Sequence, residues 1–293
     1  MAGLNINLEN LNETASQVRR DIVRMVHSSQ SGHPGGSLGC TDLVVALYFK
    51  VMKINETKNS EEFLEFSREG NGEDLFFLSN GHISPLFYSV LSRRGYFPIG
   101  EMSTFRKINS RLQGHPATHE HLPGIRIASG SLGQGLSVAC GAAKAKKLRG
   151  DSSTIYVLMG DGEQQEGQIW EAVQFAAHYE LDNLIAIIDW NKQQIDGPTE
   201  KIMRNRDLKS KYESFGWATV DLKDGNDMQQ VLDALEKAKA LSGKKQPVLI
   251  LMNSEMGYGV DFMMGTHKWH GAAPNDLQLN VALEQLKETI GDY

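Results

Sequence analysis

Five apolar runs, each ending in a polar turn, alternate along this chain with stretches of helical periodicity. The runs are "DLFFLSNGH", "TIYVLMGDG", "NLIAIIDWN", "GWATVDLKDG" and "PVLILMNS". A strand with one wet face alternates apolar and polar residues, whereas most of these runs are continuous, as in parallel strands covered on both faces. The spacing between them predicts helices over "TASQVRRDIVRMVHSS", with Val18, Ile22, Val23 and Val26 on its apolar face and Thr14 as cap. Further helices are predicted over "TDLVVALYFKVM", "SPLFYSVLSRRG", "GSLGQGLSVACGAAKAKKLRG", "QIWEAVQFAAHYE" and "DMQQVLDALEKAKAL", with a closing helix over 280–290. The expected fold is therefore α/β, a mostly parallel central sheet with helices on both faces. No repeat or linker interrupts 1–293, so one domain is expected, its core about 14–274. The Gly-rich "SGHPGGSLG" reads as a turn, and the charged 55–71 segment as a surface excursion.

Composition narrows the function classes. At 293 residues the chain is long enough for a sizeable core. A formal net charge of -6 gives no footprint for nucleic acid. No run of apolar residues is long enough to span a bilayer, and the polar start lacks a signal-peptide pattern. Cys40 and Cys140 have no disulfide or metal-ligand spacing and read as buried thiols. A cytoplasmic protein is the expectation.

The stretch "MGDGEQQEGQIWEA" (Met159–Ala172) carries the chemistry. Ligands of parallel α/β sheets sit beyond the carboxyl ends of the strands. Gly160, Asp161 and Gly162 stand at such an end, followed by a helix whose free N–H groups favour an anion. Asp161 is placed to bind a hard cation, which takes few protein ligands when a substrate phosphate supplies the others. The next strand ends in "DWNKQQIDG", offering the Asn191 side-chain oxygen and a backbone carbonyl, expected at Gln193.

These residues resemble the thiamine-diphosphate and Mg²⁺ signature: Gly160-Asp161-Gly162, 28 residues, then Asn191. The words "SGHPGGSLG", "LSNGHISPLFY", "LQGHP", "ASGSLGQGLSVACG", "MGDGEQQEGQIWEA" and "GTHKWHGAAP" resemble, in order, those of the amino-terminal half of the transketolase family, from about Thr14 to Pro274. The resemblance implies the thiamine-diphosphate-binding fold. It implies that Asp161 and Asn191 ligate Mg²⁺ (or Ca²⁺ or Mn²⁺) by side chain and Gln193 by its carbonyl. Gly162 would lie against the diphosphate, and Gly130, Ser131 and Leu132 would form the loop passing close to the cofactor. Glu166 would link paired sites through the partner's activating glutamate, while Glu163 reads only as a first-turn helix acid. His33, His82, His115 and His267 match active-site histidines that contact substrate, diphosphate or reacting centre. His27, His119, His121, His178 and His270 receive no role.

Two departures from the family pattern stand out. Ser131 replaces a common Pro, and Lys268 and Trp269 stand where small or acidic residues are usual, within reach of the substrate entrance. The resemblance further implies transfer of a two-carbon ketol unit from a ketose to an aldose acceptor, with the cofactor carrying the carbon chemistry. The aminopyrimidine-binding half and its glutamate would come from a separate carboxy-terminal subunit, giving an α2β2 heterotetramer inactive as the single chain. A synthase joining pyruvate and a triose phosphate, and a transketolase acting on a sulfonated or other unusual ketose, are the alternatives. A non-catalytic cofactor-binding member is a further reading, against which the retained Asp161, Asn191, Glu166 and histidines weigh.

Overall fold

A computed structural model describes residues 6–293, so the first five residues of the polar start lie outside the described residues. The strands are β1 (Leu75–Leu78), β2 (Ile155–Gly160), β3 (Leu184–Trp190), β4 (Gln193–Gln194), β5 (Gly197–Pro198), β6 (Ala218–Leu222) and β7 (Val248–Asn253). Five of them form one parallel sheet in the order β1-β2-β3-β7-β6, and β4 and β5 pair as a separate antiparallel hairpin. The helices are α1 (Leu8–Ser29), α2 (Pro34–Gly39), α3 (Thr41–Ala46), α4 (Ser84–Arg94), α5 (Gln134–Leu148), α6 (Gly167–His178), α7 (Thr199–Ile202), α8 (Leu208–Ser214), α9 (Met228–Leu241) and α10 (Asp276–Gln285).

The period-2 alternation of side chains sorts each strand between two apolar layers. Phe76, Tyr156, Leu158, Ile185, Ile187 and Ile250 face a layer built with α1, α3, α4 and α9. Phe77, Val157, Met159, Ala186, Ile188 and Leu249 face the other, built with α5, α6 and α8. Burial on both faces is why the runs of β1, β2, β3 and β7 are continuously apolar, as expected, whereas the edge strand β6 keeps Asp221 exposed. The register sets Gly160 of β2 opposite Asp189 of β3, so the two strands reach the carboxyl edge of the sheet together.

Several boundaries differ from the sequence expectation. α1 begins at Leu8, capped by Asn7, whose side chain accepts from the Asn10 N–H at 2.8 Å. Thr14 is inside the helix, its hydroxyl donating back to the Asn10 carbonyl at 2.8 Å. The Gly-rich turn contains the short helix α2 after His33. The closing helix is shifted toward the amino end of its expected span. It starts at Asp276 under a capping box of Asn275 and Gln278 and stops at Gln285. Beyond it the backbone turns to α1 for partners: Arg20 donates to the Leu286 carbonyl at 2.6 Å, and the Gln17 side chain accepts from Thr289 and Ile290 N–H at 3.0 and 3.2 Å.

Candidate functional site

The carboxyl ends of β1, β2 and β3 open into one cavity of about 340 Å³. Asn80 enters it after β1, Gly160 to Glu163 after β2, and Asp189, Asn191 and Gln193 from the end of β3 and its loop. His33, His82 and His270 line the same cavity, as do Gly130 and Leu132. A larger hollow of about 660 Å³ around Phe63, Phe97 and Arg111 lies away from the strand ends.

One wall presents hard oxygens. Asp161 is 2% exposed. Its Oδ1 accepts from the Gly162 N–H at 2.7 Å and its Oδ2 from the Lys192 N–H at 2.7 Å. Burial, and then the neighbouring Asp189 carboxylate, push the Asp161 carboxyl up to about 7. Asn191 Oδ1 accepts from the Gln193 N–H at 2.9 Å. Gln193 stands opposite Pro198 in the β4–β5 hairpin, next to the bonded pair Lys192 and Thr199, so its carbonyl points away from the partner strand. The 191–193 loop thus folds around Asp161 and brings the three expected ligands to one wall. One carboxylate, one amide oxygen and one carbonyl suit Mg²⁺, Ca²⁺ or Mn²⁺, with phosphate and water completing the shell. Among the described residues no group of three or more His, Cys, Asp or Glu could hold a metal by itself. Gly162 meets this wall too: a Cβ there would lie 2.9 Å from Gln194 Oε1. The segment after it begins as a tight 3-10 turn (Gly162–Gln165) before α6 starts at Gly167.

A cluster of imidazoles makes up another part of the site. The His33 ring centroid is 5.0 Å from that of His82, 5.6 Å from His270 and 6.3 Å from His115, and His82 stacks on His270 at 5.1 Å. Burial, then the neighbouring His270, Arg106 and His115, push His33 down to about 4. Burial also lowers His82, strongly, and His115 and His270. At neutral pH each ring therefore has one donor and one acceptor nitrogen. His33 Nδ1, His270 Nδ1 and Asn80 Oδ1 are buried and have no protein partner. Buried polar atoms are normally hydrogen-bonded, and such orphans at a cleft fit a ligand rich in hydroxyls and phosphate. His115 is exposed but packs its ring on Gly130, where a Cβ would come within 2.7 Å of it and where φ is +128°. Only glycine is at ease there.

The structure redistributes three sequence expectations. His270 rather than His267 reaches the cavity; the two are joined by the backbone bond from His270 N–H to the His267 carbonyl at 2.9 Å, which closes a turn between them. Ser131 is exposed and outside the lining, whereas Leu132 is part of it. Lys268 and Trp269 do not line the cavity, and Trp269 packs on Phe262 with centroids 5.2 Å apart. Glu163 is the acid of the first turn after Asp161, and it is buried. It is 1% exposed and accepts from the Ser79 hydroxyl, from the Gly133 N–H at 2.8 Å and from the Gly160 N–H at 3.0 Å, tying three cavity loops together. Glu166 is exposed, N-caps α6 without a side-chain cap bond and lines the cavity rim. Sequence reasoning missed Asn80 and Asp189. A carboxylate inside a continuous apolar run was the available signal for Asp189.

Residues 11–291 match the family described as "Transketolase, thiamine diphosphate binding domain". The chain belongs to the transketolase family. It is 37% identical to a subunit of the apulose-4-phosphate transketolase of Actinobacillus succinogenes, over 97% of this chain and 98% of that one. It is 36% identical to a 6-deoxy-6-sulfo-D-fructose transketolase subunit of a Clostridium species, over 95% and 96%. The transketolase of Campylobacter jejuni superposes with a TM-score of 0.85 at 33% identity, covering 96% of this chain and 43% of that one. A Pichia stipitis transketolase variant with fructose-6-phosphate gives 0.86 at 31% identity, over 96% and 42%. The parallel sheet and its flanking helices are thus the thiamine-diphosphate-binding fold of transketolases. The chain matches nearly the whole length of the two subunit relatives and under half of the two solved transketolases.

Proposed function

We propose that this chain is the amino-terminal, diphosphate-binding subunit of a split transketolase. It transfers a two-carbon ketol unit from a ketose or ketose phosphate to an aldose or aldose phosphate. The convergence of Asp161, Asn191 and Gln193 on one wall, with an uncharged histidine cluster in the same site, carries this reading. Bound thiamine diphosphate supplies the thiazolium chemistry for breaking and making the carbon–carbon bond. The Asp161 and Asn191 side chains and the Gln193 carbonyl would hold Mg²⁺, Gly162 would lie against the diphosphate, and the Gly130–Leu132 loop would pass close to the cofactor. His33, His82, His115 and His270 orient the sugar hydroxyls and move their protons, which neutral imidazoles do near pH 7. His270 takes the place given to His267 by sequence. Closing the cavity against water completes the role of this chain.

A carboxy-terminal subunit supplies the pyrimidine-binding domain and the activating glutamate, which meets Glu166 at the exposed start of α6. Relatives of the same length are themselves named as single subunits of a transketolase, which supports a separate partner, and two copies of each chain complete an α2β2 assembly. The chain acts as a single domain in the cytoplasm; among the described residues no helix is long and apolar enough to cross a membrane. A second reading, an apulose-type or sulfonated ketose as donor, is favoured by the names of the same relatives. The test is a donor–acceptor assay on this chain mixed with its partner subunit, run with xylulose, apulose and sulfofructose donors. Ketol transfer requiring both chains, thiamine diphosphate and Mg²⁺ is expected, and donor preference decides between the two readings. Asp161→Ala should abolish cofactor binding, and His33→Ala should keep it while lowering transfer about 10²–10⁴-fold. Full turnover by the single chain would defeat the split-subunit reading.

A further inference from the structure

Asp189 sits near the end of β3, 2% exposed, at the lining of the same cavity as Asp161 and Asn191. A buried carboxylate is tolerated only when donors satisfy it. Its Oδ1 accepts from the hydroxyl of Ser254, just past β7, and its Oδ2 accepts from Asn191 Nδ2 at 2.8 Å. On the other side of the same amide, Asn191 Oδ1 accepts from the Gln193 N–H at 2.9 Å. An ionised carboxylate can only accept and a backbone N–H can only donate. Between them they leave the Asn191 amide a single orientation, with NH₂ toward Asp189 and oxygen toward the loop. The Ser254 tether keeps Asp189 from turning away.

We infer that Asp189 is a positioning residue: it locks the Asn191 amide so that its oxygen, never its NH₂, is presented to the divalent cation. This rests on the metal reading above, but it assigns a residue that is not itself a ligand. The carbonyl oxygen retains a second lone pair after accepting from Gln193, so the lock leaves it able to coordinate. With Asp189→Leu the Asn191 NH₂ loses its acceptor, whereas with Asp189→Asn the new carbonyl still faces that NH₂, because the Ser254 hydroxyl accepts from the new NH₂ as readily as it donates.

The test is Mn²⁺ binding to the full chain in the presence of thiamine diphosphate, read from the free-ion electron paramagnetic resonance signal, with thermal unfolding alongside. Partners that orient a ligand usually alter metal affinity about 10–100-fold, and Asp189→Leu is expected to weaken Mn²⁺ by that amount. Asp189→Asn loses the same charge but keeps an acceptor for the Asn191 NH₂, and should bind Mn²⁺ more tightly than Asp189→Leu. Loss of charge alone would weaken the two variants equally. Wild-type affinity in Asp189→Leu, or an Asp189→Asn variant as weak as it, would overturn the inference. If Asp189→Leu does not fold, Asp189→Ala takes its place on the same criterion. Equal Mn²⁺ binding by wild type and Asp161→Ala would instead defeat the metal reading itself.

Discussion

Four imidazoles whose centroids lie 5.0 to 6.3 Å from the His33 ring or from one another cannot all carry charge in a half-buried cavity. Burial lowers the pKa of all four, reinforced for His33 and His82 by the neighbouring rings, and this links stability to pH. His33 titrates at about 4 in the fold against 6.5 when free. Between those values the unfolded chain binds more protons than the native one, so stability falls as pH drops from 6.5 toward 4. A melting temperature that declines across this window, with a shallower decline in His33→Asn, is expected; an unchanged slope would show that His33 is not held neutral. At this scale the sequence was legible where a residue's role follows from its place on the strand. Asp161 and Asn191 follow apolar runs and could be placed at the sheet edge. Glu163 could not, because its burial depends on Ser79 and Gly133, far away in sequence. His267 and His270 stand three apart in one word, and only the turned backbone selects between them.

Among the elements, the strands were the most legible because burial on both faces leaves an unbroken apolar run. Helix ends were less so, since capping by polar side chains need not coincide with the start of the apolar period. α10 shows the difference. Its boundary is set by Asn275, whose side chain accepts from the Gln278 N–H at 2.9 Å while the Gln278 side chain accepts from the Asn275 N–H at 2.9 Å. The helix packs on α1 through Ala282, with Leu286 just beyond its end. Asn275→Ala should cost about 1 kcal/mol, seen as a lower denaturant midpoint at unchanged slope. No loss would mean that α10 is held by packing alone. The short helix α2 was read as a turn because its glycines are poor helix formers. Close packing explains the glycines: a Cβ on Gly35 or Gly39 would meet Met256 at 2.7 Å or the Glu255 carbonyl at 2.8 Å.

For the molecule as a whole, the doubly covered sheet was legible, and the meeting of three loops at its carboxyl edge was legible only in part. Chain contacts separated by many tens of residues decide which side chains enter the cavity, and no local pattern reports them. The same two-layer construction places the chain's two cysteines on opposite faces of the sheet. Cys40 lies in the layer of α1, α3, α4 and α9, and Cys140 in that of α5, α6 and α8. Burial pushes the Cys140 thiol up to about 12 and raises Cys40 well above its ordinary value, aided there by Asp189. A thiol reagent attacks the thiolate, so each cysteine should react only when its own layer opens. The pair is therefore a built-in two-channel clock for local unfolding. Cys140 should be labelled first, and cofactor with metal should slow Cys40 more, because Cys40 lies behind the Asp189 carboxylate. Equal slowing of both cysteines by the ligand would instead mean that the two layers open only together, in global unfolding, which a ligand of the native state always suppresses.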